Sequence, residues 1–570
     1  MRAIRRQSVL RASNKTPRKG GFSAEFQPRT GVKFHALSLV GCAVSVLTAV
    51  CVSGPLATAA GPEASPSRPE VRQTFVDELI KQAWDESKVK PSRFATDEEF
   101  LRRLYLDMLG RTPTVQEAQA FLGSKESGKR QKLVEYLLNQ PDYAKNFGTQ
   151  WTILLLGRKA QERQVDRAAL SAWMRRQFLD ERPWDQVVYD LITASGSNKE
   201  NGAVNFPLAH LEFGAVPLTS VTTRVFLGQQ IQCTQCHDHP SNDWKQADFW
   251  GINAFFKGLK REDVTKADST GGEVYDHTVL TDEPSEAYAQ YDRRNGLVGI
   301  AFPKYLDGRK ISQGANVDRR VELGKFIADP KNEQLARAFV NRIWGHFMGR
   351  GIVHPVDDFG AHNPPSHPEL LDRLAQEFRK SKYDVKSLIR WVTASQAYNL
   401  SSVTTKANDK DETLFSHMTL KPMTPEQLFD SLLTVTSAHK AGGDAGANAK
   451  RDAWLRQFIF AFANDEEGEG SSFQGTIPQA LMMMNGELMD KATGGKPGSF
   501  LADLLVDAQR QSRPVVFMVN KLYLAALSRY PTRAEMEKTS HFLESYPDTI
   551  EVLEDLFWAL LNSNEFVLNR

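Results

Sequence analysis

Cysteine is almost missing from this chain, with four in 570 residues. Two of them, Cys42 and Cys51, fall in an apolar stretch near the start, so the rest of the chain holds one pair, Cys233 and Cys236. A framework of several disulfides is thereby excluded. No charge of one sign dominates the whole, whose formal net charge is +2. Residues 1–60, however, hold nine of the 71 basic residues and one of the 69 acidic ones, Glu25. The remaining 62 basic and 68 acidic side chains leave residues 61–570 net acidic by six. That balance speaks against a nucleic-acid partner. A Gly-rich phosphate loop, a G-x-S-x-G elbow and an H-E-x-x-H helix are all absent, so the common hydrolase classes gain no support.

What is present begins with an export pattern. Basic residues from Arg2 to Lys33 precede an apolar run from Ala36 to Val52, and Leu56-Ala57-Thr58-Ala59-Ala60 supplies small residues for cleavage. The expectation is an exported protein, periplasmic or on the cell surface. The apolar run is near the lower limit for a span, so cleavage and retention as a membrane anchor both stay open. Membrane contact is expected only through this segment. Residues 61–72, rich in Pro and Ser, read as a linker.

Helical periodicity dominates from residue 73. Phe75, Leu79 and Ile80 share one face, and Asp97-Glu98-Glu99 opens a helix that buries Phe100, Leu101, Leu104 and Met108. Further helices are expected at 115–123, 129–140, 144–157, 167–179, 184–194, 217–232 and 334–348. Between about 263 and 313 the texture changes. Val274–Leu280 alternates, Gly296–Phe302 is a short apolar run and Asp307-Gly308 marks a turn, which together read as a small β-rich insertion. A pattern also recurs. L-Y-L-x-x-L-x-R-x-P-T-x-x-E runs from Leu104 to Glu117 and again from Leu522 to Glu535. Each copy reads as a helix, a tight turn, and a second helix capped by Thr114 or Thr532 with Glu at its third position. The fold class expected is mainly α and multi-helical, with a repeated helical hairpin near both ends.

The most specific motif is Cys233-Thr234-Gln235-Cys236-His237-Asp238-His239-Pro240. C-x-x-C-H is the spacing of covalent c-type haem attachment, with thioethers at Cys233 and Cys236 and an axial bond from His237. Three other readings stay open: a zinc or non-haem iron site drawing on the cysteines with His237, Asp238 or His239, a disulfide, and a structural turn. A sixth haem ligand would come from elsewhere, with Met482, Met483 and Met484 as candidates. Trp244, Phe249, Trp250, Phe255 and Phe256 would wall a haem or simply fill a helical core. A second constellation comprises Arg342, His346, Asp357, Asp358, His362 and His367, with Asn341 and Trp344 nearby. Its carboxylates and imidazoles suit a metal or acid–base chemistry. The bland alternative is a loop whose polar groups cap helices, as Ser366 with Glu369 suggests.

The stretch from Phe226-Leu227-Gly228 through C-x-x-C-H-D-H-P to Asp248-Phe249-Trp250-Gly251 resembles the planctomycete cytochrome-type domain of unknown function, PSCyt. So does Leu106-Asp107-Met108-Leu109-Gly110-Arg111-Thr112-Pro113-Thr114. Arg337-Ala338-Phe339-Val340-Asn341-Arg342-Ile343-Trp344, Gly349-Arg350-Gly351-Ile352-Val353, Asp357-Asp358-Phe359-Gly360 and Pro364–Leu371 resemble its usual partner, the PSD domain. Ser241 departs from the Phe that usually follows His-Pro. With the export signal or anchor taken as 1–60, the linker as 61–72 and the β-rich insertion as 263–318, the resemblance implies a PSCyt-like domain at 73–262 and a PSD-like domain at 319–570. Three functions are carried forward. They are a haem c redox protein with a partner protein, a metal-dependent enzyme or polysaccharide-processing partner, and a non-catalytic extracytoplasmic scaffold.

Overall fold

Thr-x-x-acid sequences start many of the helices. Thr74, Thr96, Thr114 and Thr532 each accept a backbone N–H from the residue three further on, and the acid there bonds back to the threonine N–H. Two orphan donors are satisfied at each start, worth about 1 kcal/mol per cap. The computed structural model describes residues 74–158, 162–283, 288–311, 317–441, 447–462, 483–484, 486–546 and 548–570. The expected export segment and linker, Cys42, Cys51 and Met482 lie outside the described residues.

Helices dominate. In order come α1 (Phe75–Ser87), α2 (Asp97–Leu109), α3 (Val115–Gly123), α4 (Lys129–Leu138), α5 (Pro141–Leu156), α6 (Arg167–Leu179) and α7 (Trp184–Thr193). The short strand β1 (Gly196–Ser197) precedes α8 (Asn205–Leu208), α9 (Glu212–Leu227) and α10 (Gln246–Asn253). Strands β2 (Leu259–Ala267), β3 (Glu273–Asp282), β4 (Ala289–Asp292) and β5 (Val298–Ala301) follow. Helices α11 (Arg319–Ile327), α12 (Glu333–Met348), α13 (Pro368–Lys380) and α14 (Val385–Ala394) lead to β6 (Lys421–Pro422), α15 (Pro425–Thr436) and α16 (Ala447–Phe462). The C-terminal helices include Pro514–Leu527, Arg533–Ser545 and Thr549–Leu561, before β7 (Leu568–Asn569).

The β-rich insertion is present. Strands β2 and β3 form an antiparallel hairpin, with Glu262 opposite Val279, and β1 joins it through Gly196 opposite Leu280. Strands β4 and β5 make a second hairpin, with Tyr291 opposite Gly299. Arg320, almost wholly buried on α11, holds the first hairpin in place. It pairs with Asp282 at the end of β3 and donates to Ile192 O (3.0 Å) and Ala194 O (2.7 Å) at the end of α7.

The described residues fall in one compact unit with a shared core. Its aromatic spine crosses the chain. Trp151 of α5 lies 4.2 Å from Trp184 of α7, Trp184 lies 4.4 Å from Phe339 of α12, and Phe339 lies 5.2 Å from Phe378 of α13. Each such pair adds about 0.5–1.5 kcal/mol beyond its buried area. A buried carboxylate lies deeper still. Asp107 accepts bonds from Tyr398 Oη (2.9 Å), Lys421 Nζ (2.8 Å) and Asn569 Nδ2 (2.8 Å). Lys421 also donates to His346 O (2.8 Å) and Phe347 O (3.0 Å) in the last turn of α12. Burial pushes the Lys421 ammonium below its ordinary range, and Asp107 opposes that push.

The repeated hairpin is real in detail. Arg111 binds Glu117 (2.9 Å) and also Asp142, in the first turn of α5 (3.1 Å). Arg529 binds Glu535 (2.8 Å) and Glu565, beyond the next helix (2.7 Å). Each guanidinium also lies over the tyrosine six residues earlier, Tyr105 or Tyr523. The copies touch: Arg102 of α2 donates to Ala526 O (3.1 Å), at the end of the helix Pro514–Leu527.

Arg529 holds the Glu535 carboxyl down to about 2, from an ordinary 4.5. A depressed carboxyl stabilises the fold fully above its unfolded value and loses that contribution as pH falls toward its folded one. Glu535→Gln keeps the cap but removes the charge. Acid unfolding monitored by circular dichroism is expected to show wild type losing more stability than Glu535→Gln between about pH 4.5 and 2. Parallel curves over that window would contradict this.

Candidate functional site

Helix α9 stops at Gly228, whose φ of 64° closes the last turn with its N–H on Arg224 O (3.1 Å). The helix expected at 217–232 therefore ends early, at Leu227, and a separate turn leads to the cysteines. The Gly228 carbonyl accepts the N–H of Phe359 (2.9 Å), and a Cβ at 228 would stand 2.6 Å from Phe359 Cδ2. The turn that follows, Gln232–Gln235, is 3₁₀. Ile231 and Thr234 anchor it, both fully buried, and the Thr234 hydroxyl donates to Ile231 O (2.6 Å). Cys233 is left half-buried and Cys236 exposed, both as free thiols. Burial pushes the Cys233 thiol up, and the negative charge of Asp358 adds to the push.

The two histidines of the motif are held differently. His237 Nδ1 donates to Asp238 O (2.7 Å), which leaves Nε2 with its lone pair. His239 Nδ1 accepts the N–H groups of Ser241 (3.2 Å) and Asn242 (3.0 Å), so its proton sits on Nε2 when the ring is neutral. The Asp238 carboxylate accepts the Gln246 N–H (3.0 Å), which holds it below its ordinary range at the start of α10. Trp250 Nε1 (3.0 Å) and Gln246 Nε2 (3.1 Å) both donate to Gln235 O. Phe249, Phe255 and Phe256 are buried in the helical core. Trp250 instead stacks on Tyr291 of β4 at 5.5 Å, and Trp244 donates to Gln229 Oε1 (3.2 Å).

Part of the second constellation arrives at this same turn. Asn341, wholly buried on α12, donates to Val353 O (2.8 Å) and Val356 O (3.1 Å) and accepts the Val353 N–H (2.9 Å). The folded loop delivers Asp357–Gly360 against residues 228–242. Asp357, buried, accepts from Gln230 Nε2 (2.9 Å) and pairs with Arg224 (3.3 Å) and Arg342 (3.6 Å). His362 Nε2 donates to Asp358 (3.1 Å), while its Nδ1 stands 3.0 Å from Asn242 Oδ1. The rings of His239 and His362 are 6.2 Å apart.

The other members lie elsewhere. His346 Nε2 donates to Asp107 O (2.8 Å), its ring sits against Phe147, and burial pushes it below its ordinary range. His367 is buried against Phe415, and burial lowers it too. The expected Ser366–Glu369 cap does not form. Pro368 begins α13, His367 takes the cap position without a side-chain bond to the helix start, and Ser366 donates to Ile352 O (3.2 Å) instead. Met483 is packed among the C-terminal helices, and the Met484 carbonyl accepts from Trp558. Among the described residues, no group of three or more His, Cys, Asp or Glu side chains stands close enough to hold a metal ion.

Gly360 is a second point of close approach between the two segments. A Cβ there would lie 2.4 Å from Asn242 Oδ1 and 2.6 Å from His362 Nδ1. Overpacking of this kind costs about 1–3 kcal/mol. Gly360→Val is expected to speed hydrogen exchange at the Ser241 and Asn242 amides, read by mass spectrometry, while α5 and α12 stay protected. Unchanged exchange in that turn would show that the segments do not bear on each other.

Comparison with known proteins bears on the same two segments. The family model PSCyt2, described as a protein of unknown function (DUF1549), matches residues 75–261. The model PSD1, described as a protein of unknown function (DUF1553), matches residues 319–472. No curated protein and no solved structure matches the chain. The Cys233–His237 turn belongs to the first match and Asp357–His362 to the second, and the chain carries these two domains of unknown function in that order.

Proposed function

We propose that the Cys233–His237 turn is the attachment point of a c-type haem, and that this is an extracytoplasmic redox protein that exchanges electrons with a partner protein. The observation that carries the reading is the state of the His237 ring. Its Nδ1–H is spent on Asp238 O, so Nε2 is free to bind iron. Metal-binding histidines are oriented in this way by a backbone carbonyl. The donor set fits: two free thiols three residues apart, one of them exposed, and an imidazole directly after them. A haem held there would supply one-electron chemistry at its iron.

The chain's own residues favour this over thiol–disulfide exchange. An exchanging cysteine needs a readily formed thiolate. Cys233 is pushed the other way by burial and by Asp358. His239 serves the loop by gathering the Ser241 and Asn242 amides, which leaves His237 as the ligand. The basic and apolar segment at the N-terminus supports an export route to the side of the membrane where c-type haem is attached.

The test is expression with cytochrome c maturation factors, followed by a haem stain and a pyridine haemochrome spectrum on denatured protein. One covalent haem per chain is expected. Cys233→Ala with Cys236→Ala should abolish it, and His237→Met should keep the covalent bond while shifting the spectrum of the native protein. A haem-free chain, with a control cytochrome loaded in the same cells, would overturn the proposal.

A further inference from the structure

A second site lies at the start of α9, where the backbone does something unusual. Phe213, Gly214 and Ala215 take three successive left-handed conformations, with φ of 51°, 67° and 62°. For the two residues that carry side chains this conformation is strained. Such strain persists only where its surroundings impose it, and it gathers at functional positions. Here the turn is held by its own carbonyl. Gly214 O accepts Asn253 Nδ2 (3.0 Å) and Lys257 Nζ (3.1 Å).

The turn forms one wall of a cavity of about 330 Å³. Leu211, Ala215, Phe256 and Leu259 give it an apolar floor, and Lys257, Lys260 and Arg261 line it with Glu212 as the one carboxylate. The three cations are unequal. Lys260 and Arg261 reach Glu283 and Glu162 at 3.6 and 3.5 Å, through side chains largely open to water. Exposed pairs at such lengths are weak and give way to a better acceptor. Lys257 has no carboxylate among the described residues. Its ammonium has the Gly214 carbonyl and the Trp250 ring at 5.8 Å, and it sits so close that a Cβ on Gly214 would stand 2.8 Å from Nζ. Burial pushes that ammonium below its ordinary range. A cation partly stripped of water and lacking a counter-charge is a group that an anion would satisfy.

We propose that this cavity binds a small molecule through an oxyanion group, a carboxylate, phosphate or sulfate, with Lys257 as the principal contact and Lys260 and Arg261 closing over it. None of the residues lining the cavity belongs to the cysteine turn, and binding there does not depend on haem.

The experiment is titration calorimetry of the whole protein with acetate, inorganic phosphate and sulfate in turn. Saturable binding of at least one, with a dissociation constant below about 1 mM, is expected. The anion that binds best identifies the class. Lys257→Met, which keeps the apolar stem, should weaken that binding at least about tenfold. Should that variant fail to show wild-type circular dichroism, Arg261→Gln is read instead, with a smaller loss expected. No saturable binding by any of the three anions, or equal binding by a folded variant, would overturn the proposal.

Discussion

The architecture depends on one buried charge. Asp107 sits at the end of α2 with its carboxylate inside the protein, where an unpaired anion would cost several kcal/mol. Its carboxylate's hydrogen-bond donors come from far along the chain: Tyr398, Lys421 and Asn569. The chain must therefore bring its beginning, middle and end to one point before α2 can be buried. Lys421 extends the constraint by capping the last carbonyls of α12, and His346 adds a bond to the Asp107 carbonyl. The pairing of β6 with β7, Lys421 opposite Asn569, places two of the partners side by side. A buried pair of this kind contributes little net stability against an apolar replacement, but losing one partner is costly, so its main effect is on which arrangement is allowed.

Helix α12 carries that constraint to the candidate site. Its final turn is tied to Asp107 through Lys421, while Asn341, one and a half turns earlier, shapes the loop that ends in Asp357–Gly360. That loop reaches the cysteine turn from the other side and places Asp358 and His362 beside Cys233 and Asn242. The signatures of the two matched domains, with Cys236 and Asp357 lying 121 residues apart in sequence, are thus neighbours in space only because the core is shared. This explains why a cysteine turn with an exposed thiol nevertheless has a fixed backbone, with one histidine ring bonded to a neighbouring carbonyl.

Much of the fold is legible in the residues themselves. Helical spacing locates α2, α3, α6 and α7, with a Thr-x-x-Glu cap at the start of the first two, and the alternation of Val274–Leu280 marks β3. The repeat reads as helix, turn and capped helix because all of those signals are local. Its third member does not: Asp142 and Glu565 bind the repeat arginines from 31 and 36 residues away, and no periodicity links them. The candidate site divides along the same line. The spacing of Cys233, Cys236 and His237 is visible at once, whereas Asp358, His362 and Arg342 could be read only as members of a polar cluster. His346 and His367 share that cluster in sequence but face the core, because successive positions on α12, and the sharp entry into α13 at Pro368, point in different directions. Gly228 and Gly360 carried the missing information. They mark where backbone segments approach too closely for a side chain, but which segments meet there depends on the tertiary fold.

The central claim, that the buried Asp107–Lys421 pair couples distant parts of the chain, is tested most directly by a double-mutant cycle. Asp107→Asn, Lys421→Met and the combined variant would be compared by urea unfolding. Each single change is expected to cost about 3–5 kcal/mol, because it strands the other group, and the double variant should cost clearly less than the two together. Additive losses would contradict the account, since they would mean that the two groups do not depend on one another.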